Sequence, residues 1–405
     1  MEYNKGGILV LAITIGIGLF MPAKVLGAGR FIINPKFTAG WRVESNYFRS
    51  ETDEQEVFTY LLQPGIEVGY ETSKSLLALD YSLNAFFYDS QDSVPPGQPD
   101  ASDDDYLGHT ANFQAETRPI ERLLVGLDNS FLLTRNPAQT DSLGDFTERD
   151  KYWINRLTPG IYYELSRRFD AGLRYRNTII HWLEGVNEDS DENRAILDLI
   201  YNLSPTAHLN LDYQYWRRNY DGDTSDYISN QIMLIFRKQF KYISFEGGAG
   251  YQNRRFDSSD LDDIDTPVFL GAIIGQFPPA PDPPRSHFTL MFDQNFNDQG
   301  VGQRYYVARR LTLKAGHVFV EKIVVELEGW FQNSDYEDTF GRTSSGEIEK
   351  RDDDRYYFFG SVGYRFKDWL TFSAGGGYDE RDSNIENLSF DNSFFRTQLD
   401  FDFKF

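Results

Sequence analysis

Phe395-Arg-Thr-Gln-Leu-Asp-Phe-Asp-Phe-Lys-Phe405, the C-terminal stretch of the chain, alternates between two kinds of side chain. Apart from Thr397, its odd-numbered residues are apolar, and its even-numbered residues are polar or charged. Successive side chains of a β-strand point to opposite faces. The stretch therefore predicts a strand with one oily face and one charged face, placed between two different solvents.

The same alternation extends over most of the chain from Phe37 onward, in blocks of about 10 to 15 residues. Residues 206–217, 323–331 and 369–379 are clear examples. We count about 18 such blocks, with about 16 as the alternative. Strands over 35–48, 322–334 and 352–366 are among them. The pattern predicts an all-β fold without helical spacing.

The connections between these blocks alternate in length. Short turns are predicted at 73–75, 118–120, 166–167, 204–205 and 240–241, and long polar segments at 49–56, 90–104, 136–150, 257–265 and 333–351. Tight turns at one end and long loops at the other are typical of outer-membrane β-barrels, whose tight turns are periplasmic. With an even strand number, both termini are periplasmic.

A closed antiparallel transmembrane barrel explains this pattern physically. Lipid cannot hydrogen-bond free backbone groups, so spanning strands must close on themselves. A tilted strand crosses the membrane in about 9 to 11 residues, which the blocks provide. The 33 Phe and 25 Tyr suit lipid-facing strands. A soluble propeller is the alternative, but we find no blade signature.

The N-terminus predicts the compartment. Lys5 precedes an apolar run over 7–20, and the small residues Val25, Gly27 and Ala28 follow. This order is typical of a secretory signal peptide. We predict a signal peptide over 1–28 and a barrel over 29–405, located in the outer membrane as a multi-pass protein.

Composition excludes several other classes. A net charge of -22 excludes nucleic acid as a partner, and the absence of Cys excludes thiolate chemistry. The 5 His lie outside nucleophile-elbow and HExxH motifs, although His181 near the loop-side rim could serve a surface protease. Residues 221–226 contain part of a calcium-loop pattern without its bidentate Glu. We expect no enzyme activity, catalytic residue, cofactor or metal site.

Alternation also assigns the charged residues of the polar face to a water-filled lumen. The lumen-lining candidates are Glu67, Asp80, Glu116, Asp128, Glu164, Arg174, Arg176, Arg194, Asp198, Asp212, Glu246, Asp293, Glu326, Glu328, Arg365, Arg396, Asp400 and Asp402. Carboxylates predominate, so the lumen would favour cations or neutral sugars over anions. Alternatively, these charges pair across strands and only keep the interior wet.

Aromatic residues at strand ends are expected to form interfacial girdles. Trp182, Trp216 and Trp330 fall at predicted loop-side ends, and Trp369 falls beside a turn. Trp216 and Trp330, with Tyr88 and Tyr162, could instead face inward and stack on sugar rings. We favour a girdle or packing role.

The C-terminal strand resembles the terminal signature of Gram-negative outer-membrane proteins. The hairpins over 158–175 and 363–378 resemble the β-barrel porins associated with exopolysaccharide secretion. The first resemblance implies that the barrel-assembly machinery recognises Leu399, Phe401, Phe403 and Phe405. The second implies passage of polymer or solute and a periplasmic polysaccharide-export partner. The five prolines of the stretch 277–285 stiffen it, and contact with such a partner is one hypothesis for it, but we favour a rigid connection without a binding role.

We therefore expect an outer-membrane conduit in contact with lipid, with export of exopolysaccharide as its function. A general diffusion porin for small solutes is the first alternative. A structural or adhesive surface barrel without transport is the second.

Overall fold

A computed structural model describes residues 29–92, 94, 99–136, 149–185, 187–279, 284–298 and 305–403. The predicted signal peptide and Phe405 lie outside these residues. The strands, numbered in chain order, are β1 Arg30–Glu44, β2 Val57–Glu71, β3 Ser75–Ser90, β4 Tyr106–Ile120, β5 Leu123–Thr134, β6 Tyr152–Glu164, β7 Phe169–Trp182, β8 Ser190–Ser204, β9 Ala207–Tyr220, β10 Tyr227–Gln239, β11 Ile243–Phe256, β12 Ile264–Phe277, β13 Ser286–Asp298, β14 Tyr305–Phe319, β15 Ile323–Arg342, β16 Ile348–Lys367, β17 Leu370–Ser383 and β18 Phe390–Asp402.

These strands form one closed antiparallel barrel of 18 strands. Each strand pairs with its neighbours in the chain, and β1 closes the barrel against β18 with Phe37 opposite Phe401. The predicted closed barrel is therefore confirmed, and the alternative of about 16 strands is wrong. Closure leaves no strand edge exposed to lipid.

The connections alternate as predicted. Tight connections such as 72–74, 121–122 and 205–206 lie at one end, which we call the turn side, and 45–56 and 91–105 lie at the other, the loop side. β1 begins and β18 ends at the turn side. A short 3₁₀ helix over Ala101–Asp104 is capped by the Asp100 side chain, which accepts a hydrogen bond from the Ser102 amide.

Two predicted boundaries are wrong. β1 begins at Arg30 instead of residue 35. The predicted long loop over 333–351 is mostly strand, because β15 and β16 are each 20 residues long and leave only 343–347 as a connection. Pairing continues at Phe340 and Lys350 beyond an irregularity in register. The extension was not predicted because its sequence is polar: a strand that projects beyond the membrane does not need an apolar face.

The outer surface carries an apolar belt with aromatic rings at both ends. On the turn side, Phe169 packs on Tyr201 and Trp369 stacks on Phe403, with centroids 4.8 and 5.1 Å apart. On the loop side, Trp41 packs on Phe58 at 5.4 Å. Such girdles mark the two membrane interfaces. Within the described part of the chain, no helix is long and apolar enough to span a membrane.

Candidate functional site

The two faces of each strand differ in what they carry. On β9, Leu211, Tyr213 and Tyr215 point outward and are exposed, whereas Asp212 and Trp216 point inward and are buried. The same parity recurs on the neighbouring strands, where large exposed apolar residues define the outer face. The interior face of the barrel is therefore the candidate functional site.

The lumen candidates from the sequence occupy interior positions of their strands. Several form ion pairs across neighbouring strands: Arg174 with Asp198 at 2.9 Å and Lys314 with Glu328 at 2.7 Å. Hydrogen-bonded pairs between oppositely charged side chains hold their geometry and keep the wall hydrated. The pairing accounts for part of the charge but not for all of it.

Two interior cavities on the turn side are rich in carboxylates. One, of 390 Å³, is lined by Glu67, Asp80 and Asp128 together with Arg156. Another, of 550 Å³, is lined by Glu326, Asp400 and Asp402 together with Arg365. Every charged residue of these two walls except Arg156 and Asp368 was among the lumen candidates.

A third interior cavity, of 580 Å³, is predominantly basic. Its basic lining residues are Arg156, Arg176, Arg194, Arg218, Arg254, Arg310 and Lys314. Its carboxylates are Glu192, Asp293 and Glu328. The expectation of a general negative excess is therefore wrong for this part of the lumen.

The sequence interpretation missed five of these basic residues, although the signal was present. Arg156, Arg218 and Arg254 have the same strand parity as Glu164, Asp212 and Glu246, which were assigned to the lumen. Arg310 lies opposite Asp293 in the register of β13 and β14.

Three tryptophans are not in the girdle. Trp182 is buried with Tyr152 and Ile180. Trp216 is 2% exposed, and the Arg194 guanidinium lies 4.0 Å from its ring centroid. The girdle role predicted for Trp182 is therefore wrong, and Trp216 has the packing role that was its alternative. Trp41, Trp153 and Trp369 lie on the outer face.

Trp153 packs on Phe131 at 6.1 Å on the outer face of the loop-side half. Trp330 faces the basic cavity, where it stacks on Tyr357 at 5.5 Å and lies under the guanidinium of Arg310. Tyr162 lies over Gly172, where a Cβ atom would clash with its ring. These interior aromatic rings are held by neighbours.

At the loop side, the connections pack inward and bury a network of charges. Arg149 lies 3.3 Å from Glu44 and 3.6 Å above the Tyr47 ring. Arg49 and Arg355 both contact Asp379, at 3.0 and 2.9 Å. We call this network, which comprises Glu44, Tyr47, Arg49, Arg149, Arg355 and Asp379, the loop cap.

Burial changes the acid–base properties of loop groups beside and within the cap. It raises the pKa of the Asp104 carboxyl, a rise that the contact with Arg135 at 3.1 Å opposes. It lowers the pKa of the Arg49 guanidinium to about 10. Charged groups that have lost water depend on their partners, so removing one member of the network leaves its partner buried without a counter-charge.

Catalytic and metal sites have no support in the described part of the chain. His181 contacts Asp189 and packs on Trp153 at 5.4 Å, on the outer face, away from the interior cavities. No group of His, Asp and Glu residues is arranged to hold a metal ion in this part. In the calcium-like segment, Asp226 accepts a hydrogen bond from the Tyr220 amide.

A closed barrel of 18 antiparallel strands with an apolar belt, two aromatic girdles and a charged interior is an outer-membrane β-barrel. Residues 243–403 match the model of the family described as Putative beta-barrel porin 2. The resemblance to β-barrel porins is confirmed over these residues. No curated protein matches the sequence.

Three solved bacterial structures are similar to this chain over most of its length. OccAB4 of Acinetobacter baumannii is 12% identical, with 93% of this chain and 98% of that chain covered and a TM-score of 0.49. OpdK of Pseudomonas aeruginosa, solved with vanillate, is 10% identical, with 93% and 99% covered and a TM-score of 0.48. OccK9 (OpdG) of the same organism is 12% identical, with 93% and 98% covered and a TM-score of 0.47.

Proposed function

We propose that the protein is a passive channel for small hydrophilic solutes across the outer membrane. The observation that carries this proposal is the polar interior face, which surrounds cavities of 390, 550 and 580 Å³ inside a closed wall. Closed barrels of about 16 to 18 strands are wide enough for an aqueous channel. The polar side chains of this wall hydrogen-bond water, so a hydrophilic solute can cross the membrane through the lumen without entering lipid.

Conductance of the purified full chain in a planar lipid bilayer tests this function. We expect stepwise increases in current as single barrels insert, with conductance rising in proportion to salt concentration. A detergent-only addition is the control. Stable insertion without conductance would reject the channel and favour the structural or adhesive barrel.

Export of exopolysaccharide is the second candidate, and the resemblance of the two hairpins to secretion-associated porins supports it. A polymer path needs open aromatic faces along the lumen. Trp216 is covered by Arg194, and Trp330 lies beneath Arg310, so neither presents a free ring face. For this reason we rank small solutes first.

Deletion of the chain separates the two candidates. An exporter predicts that surface polysaccharide is lost and accumulates in the periplasm, and it requires a periplasmic export partner. A solute channel predicts unchanged polysaccharide and slower uptake of small solutes. Residues 280–283 of the proline-rich connection lie outside the described residues, so that partner contact rests on the sequence alone.

We also propose that the barrel-assembly machinery recognises β18. Leu399, Phe401 and Phe403 share the outer face of this strand, and Trp369 stacks on the two phenylalanines. Phe401→Ser should slow assembly in cells more than it slows refolding of the pure protein in vesicles. Equal effects in the two settings would indicate a packing role.

A further inference from the structure

The sign of the interior charge changes along the barrel axis. In the loop-side half of the strands, the described interior cations are Arg42, Arg156, Arg176, Arg194, Arg218, Arg254, Arg310, Arg351, Arg355 and Arg381. The described interior carboxylates of that half are Glu44, Glu192, Asp293, Glu349, Asp353 and Asp379. Arginine is therefore in excess, and we call this half of the interior the basic zone.

The turn-side half has the opposite excess. Its described interior carboxylates are Glu67, Glu71, Asp80, Glu116, Asp128, Glu164, Asp170, Asp198, Asp212, Glu246, Glu326, Glu328, Asp400 and Asp402. Its described interior cations are Arg30, Lys36, Arg118, Arg174, Arg237, Lys314, Arg365 and, near mid-strand, Arg396. We call this half the acidic zone.

Ion pairing reduces both excesses without cancelling them. In the acidic zone, Lys36 lies 2.6 Å from Asp80, and Arg237 lies 2.6 Å from Glu246. Each such pair removes one charge of each sign, so the surplus of carboxylates remains. In the basic zone, Arg42 lies 3.0 Å from Glu44, and Arg355 lies 2.9 Å from Asp379; each pair again removes one charge of each sign, so the surplus of arginine remains.

The two zones adjoin at Arg156. This residue lines the basic cavity of 580 Å³ beside Arg176, and it also lines the acidic cavity of 390 Å³ beside Asp80 and Asp128. A solute that passes through the lumen therefore meets the two surplus charges in series. At physiological salt, charges interact over a screening length of about 8 Å, which is comparable to a small solute.

We propose that these zones in series form a filter that favours zwitterions over ions of either sign. This inference rests on the channel function proposed above. An anion is attracted by the basic zone and repelled by the acidic zone, and a cation meets the reverse order. A zwitterion at the junction, with its carboxylate toward Arg156 and Arg176 and its ammonium group toward Asp80 and Asp128, is attracted by both zones.

Current–voltage curves of single channels test the charge arrangement. The chain contains no Cys, so Ser345→Cys in the loop-side connection 343–347 provides a one-sided thiol label that reports orientation. At about 0.1 M KCl we expect a larger current when the loop side is negative. Chloride, which predominates in the basic zone, and potassium, which predominates in the acidic zone, then both move toward the junction of the two zones. At about 1 M KCl, where the screening length is about 3 Å, the asymmetry should disappear.

Two matched double variants separate the zones. Arg156→Gln with Arg176→Gln should shift the reversal potential in a KCl gradient toward cation selectivity. Asp400→Asn with Asp402→Asn should shift it toward anion selectivity. Both variants should weaken the rectification. Shifts in the same direction, or none in either variant, would overturn the proposal.

Uptake of labelled solutes of matched size into proteoliposomes tests the filter itself. At low salt and neutral pH, glycine should enter faster than the anion glycolate and the cation glycinamide by about 3-fold or more, with glycerol as the uncharged reference. High salt should remove the difference. Conducting channels with symmetric currents and equal uptake would reject the filter and retain the channel, whereas absent conductance would reject the channel itself.

Discussion

The two ends of the barrel interior hold similar ion pairs in different surroundings. At the loop side, Arg149 and Glu44 are 7% and 3% exposed and lie under the loops. At the turn side, Arg30 and Glu71 form a pair at 3.0 Å, but their side chains are 74% and 49% exposed. Water and salt screen the second pair and not the first. Burial, not the presence of opposite charges alone, decides how strongly the loss of one partner destabilises that end of the barrel.

The strongest way to break this comparison is to remove a carboxylate from the loop cap. Asp379→Ala should lower the free energy of unfolding by about 3–5 kcal/mol, because it leaves Arg49 and Arg355 buried without the carboxylate that both contact. Urea unfolding in lipid vesicles measures this change. A loss no larger than that for an exposed pair would show that water reaches the cap.

The apolar belt between the two ends gives a second test. Leu62 on β2 points to lipid, and its neighbour Gln63 points inward and donates a hydrogen bond to Ser82. Leu62→Arg should lower the free energy of unfolding by about 2–4 kcal/mol, since the charge enters the bilayer. Gln63→Arg is the matched control and should cost much less, because its side chain meets water. Equal losses would contradict the assigned faces.

The pH dependence of the free energy of unfolding gives a third test, through Asp104, which lies between the loop cap and Arg135. Its raised pKa means that the folded state takes up a proton more readily than the unfolded chain, so the free energy of unfolding falls as pH rises. This loss is complete above the folded pKa and absent below the ordinary value of 3.8. Asp104→Asn should remove this part of the pH dependence in urea titrations between about pH 4 and 7. An unchanged pH slope would exclude Asp104 as its source.

The smallest effect is expected at the exposed end. Glu71→Gln breaks the pair with Arg30 and should change the free energy of unfolding by less than about 1 kcal/mol, and by still less in high salt. The same unfolding assay that is used for Asp379 measures it. A loss comparable to that of Asp379→Ala would show that exposure does not distinguish the two ends.

Much of the fold could be predicted because alternation is local. The alternation that begins at Phe395 falls in β18, Phe390–Asp402, and the alternation over 369–379 falls in its partner β17, Leu370–Ser383. Each residue reports the solvent it faces, whatever lies elsewhere in the chain. Alternation could not predict the extension of β15 beyond the membrane, because both faces of the strand are polar there.

The candidate site was only partly predictable. Parity placed Asp400 and Glu326 on the interior face, but the surplus of arginine emerged only when Arg156, Arg254 and Arg310 were brought to one cavity from three separate strands. Parity also predicted the interior position of Trp216. Its place at a strand end suited an interfacial girdle equally well, and only the contact with Arg194 showed that it packs inside the barrel.

The sequence by itself determined the class of fold, because the period of two and the lengths of the connections specify which side chains meet lipid and where strands turn. The tertiary structure alone decided the loop cap, where Arg149 meets Glu44 across 105 positions of sequence, and the separation of charge along the lumen. Both depend on which residues, far apart in sequence, become neighbours when the sheet closes. A local period in the sequence does not specify these neighbours.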